Sequence, residues 1–427
     1  MSKLDELIKT LCPDGVKYKK VKDVILSLKT GLNPRQNFVL NSAGSFLPYI
    51  TGKDIYDNKV NISEKTDLIT KDALTIINKR AQLKDDLLLF ASTGTGTVGR
   101  MAIINEYHNN WGISETLYAI DVNKNFIITK YLMYVLYSSY ARNQFEPKIS
   151  KGSVPHLKVN DLLNVTMPVP PMEVQCEIVR ILDNFTELTA ELTAELTARK
   201  KQYEYYKQLC FDNIQNAPIK HITDIALVKA RVGWQRLTRA EYLNTGDYYL
   251  ITGTDFNMAG GINFKTCVFV TKDRYDMDTN IQVHKNDILI TKDGTLGKVA
   301  ILKEEPNKLT TLNSGVFRIH IFDNDVLPQY LYHFFTSKYF TDFVESVKTG
   351  STVPHLTQQG LVSLDIPIPS LEEQARIVSI LDRFDKLCND ISVGLPAEIE
   401  ARKKQYEYYR DKLLTFEPIQ LTEKELA

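Results

Sequence analysis

The sequence predicts an α+β protein in which two pseudo-repeated α/β domains are joined by two long helices that pair as an antiparallel coiled coil. Three observations predict this fold. The chain repeats itself after about half its length, each half contains short apolar runs typical of strands, and each half ends in a long helical stretch with an apolar stripe. The 427 residues also exceed the usual ~100–200 of one domain, so several domains are expected.

Composition and charge limit the classes of protein to which the chain can belong. Hydrophobic residues make up 43% and charged residues 24%, which excludes disordered, collagen-like and disulfide-scaffold classes. Lys and Arg equal Asp and Glu at 52 each, so net charge gives no sign of a nucleic-acid binder. The 5 cysteines form no Cys-x-x-Cys pair, so neither a zinc site nor a disulfide framework is indicated. Without a signal core or an apolar stretch of ~18 residues, we expect a cytoplasmic protein that does not bind membranes.

Three pairs of segments carry the duplication. The turn Gly-Ser-Val-Pro-His-Leu at 152–157 returns about 200 positions later with one extra residue, as Gly-Ser-Thr-Val-Pro-His-Leu. The helix start Gln-x-x-Ile-Val-x-Ile-Leu-Asp at 175–183 also returns. The residues Ala-Arg-Lys-Lys-Gln-Tyr-Glu-Tyr-Tyr at 198–206 recur without any change. Copied helices beside divergent domains are expected when two copies touch the same kind of partner but read different targets.

The strands and the shorter helices follow from local patterns. Short apolar runs bounded by Gly, Asn or Asp predict strands at 87–91, 100–104, 116–120, 287–291, 299–302 and 316–321. Helical periodicity with many aromatic residues follows at 129–144 and 328–345, and these helices are expected to be core. Each domain should therefore contain a curved, mainly antiparallel sheet.

The segments 172–213 and 371–415 predict long helices, each with an apolar residue every three or four positions. Ser370 can cap the second helix by accepting a hydrogen bond from its third amide. The Gly-Leu-Pro at 394–396 predicts a kink or a break. The tandem Thr-Ala-Glu-Leu at 189–196 would adjust the helix length, since one unit adds ~6 Å and ~40° of rotation. The paired stripes would make a rigid spacer.

These duplicated motifs together resemble the DNA-specificity subunits of type I restriction-modification systems, over nearly the whole chain. The resemblance implies that each variable domain is a target recognition domain for one half of a split sequence in double-stranded DNA. It also implies helices that set the spacing and dock two modification (methyltransferase) subunits, in a complex with ATP-driven restriction subunits. The divisions are then an N-terminal recognition domain (1–171), a central helix (172–213), a C-terminal recognition domain (214–369) and a C-terminal helix with its tail (370–427).

Catalysis by this chain alone is not expected. The sequence contains no Asn/Asp-Pro-Pro-Tyr/Phe methyltransferase motif, no Walker motif and no His-Glu-x-x-His. The loop 92–100 contains Gly-x-Gly-x-x-Gly, but a strand-like run follows it, so a hairpin is favoured over a nucleotide site. No cofactor or metal is expected on this chain, and S-adenosylmethionine, ATP and Mg²⁺ are expected on the partner subunits.

Two other functions are considered. The first is a non-catalytic coiled-coil scaffold with two protein-binding domains, which the neutral charge favours. The second is a fused endonuclease or methyltransferase, which the missing motifs oppose.

Candidate DNA contacts lie in the glycine-rich hairpin loops and in the turns that end in Pro-His-Leu. Glycine lets the backbone approach a surface closely, and the neighbouring polar side chains suit base edges and phosphates. The alternatives are structural hairpins, solvated turns, and turn histidines that bond the backbone. The candidates are Ser92, Thr93, Thr95, Thr97, Arg100, Lys151, Ser153 and His156, followed by Lys292, Asp293, Thr295, Lys298, Lys348, Ser351, Thr352 and His355.

The copied basic and tyrosine-rich helix segment predicts a protein-docking face, because it recurs unchanged. The alternatives are a solvated helix face or contact with DNA. The partner-binding candidates are Arg199, Lys200, Lys201, Tyr203 and Tyr206, with Arg402, Lys403, Lys404, Tyr406 and Tyr409 in the second copy.

Overall fold

The computed structural model describes residues 2–105, 110–214, 216–232, 237–257, 259–350, 354–390 and 393–419. The chain divides into two compact units. The first unit comprises Met1–Thr189 together with Arg402–Ala427, and the second comprises Ala190–Ala401. No described helix combines the length and the apolar character that a membrane span requires.

The first unit contains six helices of its own and eleven strands in the part of the chain that the structure describes. The helices are α1 (Lys3–Leu11), α2 (Pro34–Asn37), α3 (Lys71–Ala81), α4 (Thr129–Tyr137), α5 (Ser139–Phe145) and α6 (Val159–Leu163). The strands are β1 (Tyr18–Lys20), β2 (Ile25–Thr30), β3 (Leu47–Ile50), β4 (Ile55–Tyr56), β5 (Lys59–Val60), β6 (Asp67–Ile69), β7 (Leu88–Ala91), β8 (Met101–Ile103), β9 (Gly112–Ile113), β10 (Leu117–Val122) and β11 (Thr166–Pro168). The long helix α7 (Met172–Asp212) begins in this unit and ends in the second.

The second unit repeats most of these elements. Its strands are β12 (Ile219–His221), β13 (Ala226–Ala230), β14 (Tyr248–Ile251), β15 (Val268–Val270), β16 (Ile288–Thr291), β17 (Val299–Ile301), β18 (Leu309–Leu312), β19 (Val316–Ile321) and β20 (Asp365–Pro367). Its helices are α8 (Ile222–Ile225), α9 (Lys272–Asp276), α10 (Pro328–Phe335), α11 (Lys338–Val347), α12 (Gln358–Val362) and α13 (Leu371–Asn389). The last helix, α14 (Leu395–Leu413), begins in the second unit and ends in the first.

Both units contain the same pair of sheets. The larger sheet has the strand order β2-β10-β7-β8 in the first unit and β13-β19-β16-β17 in the second, and all neighbouring strands are antiparallel. The smaller sheets, β6-β3-β9 and β15-β14-β18, each contain one parallel pair. The mainly antiparallel prediction is confirmed. The parallel pairs join strands far apart in sequence, which a local pattern does not reveal.

The predicted aromatic helices at 129–144 and 328–345 are each broken into two, α4 with α5 and α10 with α11. Helices α4 and α10 contribute to the two main cores, as predicted. Tyr131 and Tyr134 of α4 are buried among the apolar side chains of the first unit. Tyr330 and Phe335 of α10 are buried in the second unit in the same way.

Each half of α7 packs against a C-terminal helix within its own unit. In the first unit the ring of Phe185 stacks on that of Tyr409 in α14, with centroids 5.6 Å apart. In the second unit Tyr203 and Tyr206 stack on Phe384 of α13, with centroids 5.9 and 5.5 Å apart. Partners later in α7 thus lie earlier in the C-terminal segment, which is the order of an antiparallel pair.

The apolar stripes differ from the prediction at one position in each helix. Leu188 and Leu387 continue the spacing of three or four residues that predicts the stripes, but both side chains are exposed. The buried row instead continues at the next residue, the half-buried Thr189 in α7 and the buried Cys388 in α13. One residue corresponds to about 100° of helix rotation, which is enough to move a side chain off the packed face.

The start and the interruption of the C-terminal helix agree with the prediction. Ser370 Oγ accepts a hydrogen bond from the amide of Glu373 at 3.4 Å. The carboxylate of Glu373 pairs with Arg376, so it does not complete a reciprocal capping box. Helix α13 ends at Asn389 and α14 starts at Leu395, so the Gly-Leu-Pro segment breaks the helix.

A buried glutamine fastens α7 to the rest of the first unit. Gln175 lies in the first turn of α7 and is completely buried. Its Nε2 donates to the carbonyl oxygens of Phe126 and Pro170, both at 2.8 Å. Its Oε1 accepts from the amide of Ile128 at 3.0 Å, directly before α4. The side chain therefore joins the helix to the segments that precede both α4 and α7.

Gln374 repeats this arrangement in the second unit. It is also completely buried, in the first turn of α13. Its Nε2 donates to the carbonyl oxygens of Asp325 and Pro369, both at 2.8 Å, and its Oε1 accepts from the amide of Leu327 at 2.9 Å. We call each set of three bonds a glutamine clasp.

An aspartate two turns after each glutamine makes a second attachment. Asp183 accepts hydrogen bonds from the Tyr134 hydroxyl at 2.5 Å and from Lys130 Nζ at 2.8 Å. Asp382 accepts from Nε2 of the buried His333 at 2.8 Å. This bond lowers the pKa of Asp382 below its ordinary value. The α/β part of each unit is thus attached to its helix at two separate points.

The two ends of the described chain meet in the first unit. The Val16 amide donates to the Glu417 carbonyl at 2.8 Å, and the Ile419 amide donates to the Val16 carbonyl at 3.2 Å. The Tyr18 hydroxyl donates to the Phe416 carbonyl at 2.8 Å. The segment after α14 therefore runs beside residues 16–18 of the first unit.

Replacing Gly15 with alanine should weaken this junction. Gly15 has φ +100°, and a Cβ atom there would lie 2.5 Å from the Glu417 carbonyl oxygen. Gly44 is a matched control, because its φ is +82° and no atom lies within 4 Å of its Cβ position. Both substitutions carry the strain of a left-handed backbone, about 1–2 kcal/mol. Gly15→Ala should lower the free energy of unfolding by about 1–3 kcal/mol more than Gly44→Ala.

Urea unfolding measures this difference in the free energy of unfolding. The fluorescence of Trp111 reports unfolding of the first unit, in a chain in which Trp234 is replaced by Phe. Equal losses for the two variants would contradict the close approach of the tail.

Candidate nucleic-acid interface

The glycine-rich loops connect neighbouring antiparallel strands, β7 with β8 and β16 with β17, so both are hairpins as predicted. Gly96 and Gly294 have φ +72° and +73°, and no atom lies within 4 Å of a Cβ at either position. Glycine is favoured there by the left-handed backbone and not by crowding. Both loops therefore present open backbone to their surroundings.

In the first domain the Pro-His-Leu turn packs directly against the hairpin. Thr93 Oγ1 lies 2.7 Å from His156 Nδ1. The Leu157 amide donates to the Ser92 carbonyl at 2.8 Å. The buried Tyr118 hydroxyl donates to the Leu157 carbonyl at 2.5 Å, and burial raises the pKa of Tyr118 above its ordinary value. The sheet thus holds the turn and the hairpin together.

The second domain repeats this contact with different chemistry. Asp293 Oδ1 lies 2.6 Å from His355 Nδ1. The Leu356 amide donates to the Lys292 carbonyl at 3.0 Å, at the place of the Leu157 bond in the first domain. Thr349 and His355 also exchange two backbone hydrogen bonds, at 2.8 and 2.9 Å. The hairpins and turns that were identified separately in the sequence therefore form one surface in each domain.

The two surfaces differ in loop length and in histidine partner. Each hairpin loop is counted from the residue that bonds the histidine up to the last glycine of the loop. The first loop (93–99) is two residues longer than the second (293–297). The Pro-His-Leu turn of the first domain is one residue shorter than that of the second. Each histidine ring bonds a side chain of the facing hairpin through Nδ1, and not the backbone as the alternative expected.

The other predicted DNA contacts vary in exposure. Exposed residues are Thr95, Lys151, Ser153, Asp293, Thr295, Lys298, Lys348 and His355, and half-buried residues are Thr93, Thr97, Arg100, His156 and Lys292. Ser351 and Thr352 lie outside the described residues.

Several of these side chains already have partners in the protein. Thr97 Oγ1 donates to the Thr93 carbonyl at 3.1 Å, and an Arg100 nitrogen donates to the Ile55 carbonyl at 3.3 Å. Lys348 pairs with Glu345. Lys292 lies over the ring of Phe317, 5.3 Å from its centroid.

The prediction of a surface role for Ser92 is wrong. Ser92 is completely buried, and its hydroxyl donates to the Thr116 carbonyl at 2.9 Å. It comes directly after β7, so it continues the sheet and does not belong to the exposed loop. Its backbone carbonyl still contributes to the site, through the bond to Leu157.

A family model for the type I restriction modification DNA specificity domain matches residues 13–199 and again residues 219–401. The chain belongs to this family. A specificity subunit of a Haemophilus influenzae type I restriction enzyme is 33% identical over 294 residues, which are 66% of this chain and 71% of the relative. The specificity subunit of an Escherichia coli type I restriction enzyme is 33% identical over 292 residues, 66% of this chain and 70% of the relative.

Solved structures of other specificity subunits have the same fold. The S subunit from M. genitalium covers 95% of this chain and 97% of its own length, with a TM-score of 0.52 at 14% identity. A chain of another type I restriction-modification system covers 94% of this specificity subunit and 98% of itself, with a TM-score of 0.60 at 16% identity. The predicted fold class and family are therefore confirmed.

The copied helix segment of the specificity subunit turns only part of its predicted residues outward. Tyr203 is only 5% exposed and stacks on Phe384, so its assignment to a docking face is wrong. Tyr406 is half-buried below the guanidinium of Arg410. In α7 and α14 these tyrosines lie on the packed side, which the residue type alone does not indicate.

The outer face of each copy carries a tyrosine that is not among the predicted docking residues. Tyr205 and Tyr408 occupy equivalent places in the two copies, and they are 63% and 62% exposed. Each ring packs edge to face on the next tyrosine, Tyr206 at 5.6 Å and Tyr409 at 5.3 Å. Since Tyr203 faces inward, a helix places residue 205 about 200° away, so helical phase was the available signal.

The remaining candidates are basic residues of this segment. Lys200, Lys201, Lys403 and Lys404 are exposed, while Arg199 and Arg402 are half-buried. Arg199 and Arg402 each donate to the glutamine three residues later in the copied sequence, at 2.9 and 3.2 Å.

Proposed function

We propose that this chain is the non-catalytic DNA-specificity subunit of a type I restriction-modification complex. Its two recognition domains would each read one half of a split target in double-stranded DNA. One observation carries the proposal. In each domain the glycine-rich hairpin and the Pro-His-Leu turn form a single polar surface, and the two surfaces share a framework but differ in side chains and loop lengths. Two versions of one framework suit two different half-sites.

The helices are the proposed docking sites of two modification subunits. The nine residues 198–206 recur unchanged at 401–409, and the identity includes exposed positions. Packing alone does not require identical exposed residues, whereas two copies of one partner do. S-adenosylmethionine and Mg²⁺ with ATP would be bound by the modification and restriction subunits, and the assembled complex would work in the cytoplasm.

The isolated chain should bind DNA weakly. Lys and Arg equal Asp and Glu in the whole chain, at 52 each. Phosphate contacts supply most of the sequence-independent affinity for DNA. We therefore assign much of that affinity to the modification subunits, and base recognition to this chain.

Genome-wide adenine methylation tests the proposal. Cells that carry this chain and its modification subunits are compared with cells that lack only this chain. A split motif with a fixed gap should appear only when the chain is present. The absence of any difference, with modification subunits shown to assemble and to be active, would favour the alternative of a coiled-coil scaffold that joins two protein-binding domains.

Deleting residues 193–196 should shorten the gap between the half-sites. The deletion removes one Thr-Ala-Glu-Leu unit from α7, where Thr197 Oγ1 bonds back to the Thr193 carbonyl at 2.9 Å. A loss of ~6 Å corresponds to one or two base pairs at ~3.4 Å each. Methylation sequencing should find unchanged half-sites with a shorter gap. Altered half-sites with the original gap would contradict a spacer role.

Replacing the exposed tyrosines should release modification subunits one at a time. Tyr205→Ala and Tyr408→Ala should each weaken one docking site at least about tenfold, as expected for a central aromatic contact. The double variant should weaken both. Tyr56→Ala is the matched control, because Tyr56 is 50% exposed outside the copied segment. Mass photometry of the assembled complex counts the bound subunits. An unchanged two-subunit complex in the double variant would argue against this docking face.

A further inference from the structure

In each recognition domain, one hairpin side chain holds the histidine of the facing turn by a single ring nitrogen. Thr93 Oγ1 lies 2.7 Å from His156 Nδ1, and Asp293 Oδ1 lies 2.6 Å from His355 Nδ1. Thr93 and Asp293 occupy equivalent places. Each directly follows the residue whose carbonyl accepts a hydrogen bond from the leucine after the histidine. The two domains therefore use one contact with two different partners, a hydroxyl and a carboxylate.

The other ring nitrogen, Nε2, is available for a ligand. Within the described part of the chain, Nε2 of His156 and Nε2 of His355 have no hydrogen-bonding partner. The His355 side chain is 50% exposed, and His156 is half-buried. The exposed Lys151 precedes His156 in the first turn, and the exposed Lys348 precedes His355 in the second. A nucleic acid lying across the hairpin and the turn would meet Nε2 together with these cations.

The group bound to Nδ1 decides what Nε2 can offer. A carboxylate only accepts, so Asp293 requires a proton on Nδ1 of His355, and a neutral ring then offers Nε2 as an acceptor. A hydroxyl donates or accepts, so Thr93 allows either tautomer of His156. In the major groove an acceptor pairs with the amino groups of adenine and cytosine, whereas a donor pairs with the acceptor atoms of guanine and thymine and with N7 of adenine.

We propose that His156 and His355 contact base edges through Nε2, and that Thr93 and Asp293 are positioning residues that set the base preference of this contact. The second half-site should then require adenine or cytosine at the position that faces His355. The first half-site should be less strict at the position that faces His156. The inference rests on the proposed DNA-reading function and adds the residues that set its specificity.

Exchanging the two hairpin residues tests the inference. The full chain is assembled with its modification subunits, and methylation is measured on DNA libraries randomised in one half-site at a time. Wild type should prefer adenine or cytosine at one position of the second half-site by at least about fivefold. Asp293→Thr should relax this preference, and His355→Ala should remove it. Asp293→Thr added to His355→Ala should have no further effect.

The reciprocal variant Thr93→Asp should restrict the first half-site to adenine or cytosine at one position. In every variant the untouched half-site serves as the internal control for folding and assembly. If His355→Ala prevents folding, judged from the thermal unfolding temperature, the Thr93→Asp variant decides alone.

Three results would overturn the inference while the proposed function stands. They are unchanged base preferences in both exchange variants, a uniform loss of methylation over all bases, and a wild-type preference for guanine or thymine at the position that His355→Ala affects. A wild-type complex without any chain-dependent methylation would instead overturn the proposed function.

Discussion

A buried carboxamide in the first turn of each long helix is the contact on which the rest of the structure depends. Gln175 and Gln374 each donate two hydrogen bonds to carbonyl oxygens and accept one from an amide. An unsatisfied buried polar group costs about 1–3 kcal/mol, so a shifted helix would leave several costly groups without partners. Because Asp183 and Asp382 add a second attachment two turns later, each recognition domain takes its orientation from the helix to which it is bound.

This attachment explains how a chain with one repeated framework can read a split target. The helices carry identical outer residues, which suit the proposed repeated partner, and the α/β parts carry different loops, which suit the proposed half-sites. A Thr-Ala-Glu-Leu unit adds length to α7 without changing either clasp, since both glutamines lie outside the tandem at 189–196. Spacing and base recognition can therefore change independently of each other.

The sequence predicts the elements well and the side-chain partners poorly. Strand and helix order follows from duplication and periodicity, which are local properties. The clasp escapes such reasoning, because Gln175 bonds the carbonyl of Phe126, 49 residues away. Ser92 is polar and Tyr203 is amphipathic, and both lie in segments that were expected at the surface. Sheet packing buries Ser92, and helix packing buries Tyr203. The hairpin and turn were identified separately, but their contact through His156 and His355 depends on the fold of the sheet between them.

We infer that the glutamine clasp holds each domain rigidly enough for helix length to set the gap. The most direct measurement is methylation, by the assembled complex, of DNA in which both half-sites are fixed and the gap varies. Gln374→Met keeps the approximate size of the side chain but removes the clasp, while Gln208→Met removes a bond to Asp212 within α7 and a contact with Tyr339. Wild type and Gln208→Met should accept a single gap, whereas Gln374→Met should accept several gaps. The same single gap, at the same rate, in a folded and assembled Gln374→Met complex would show that helix length sets the gap without the clasp.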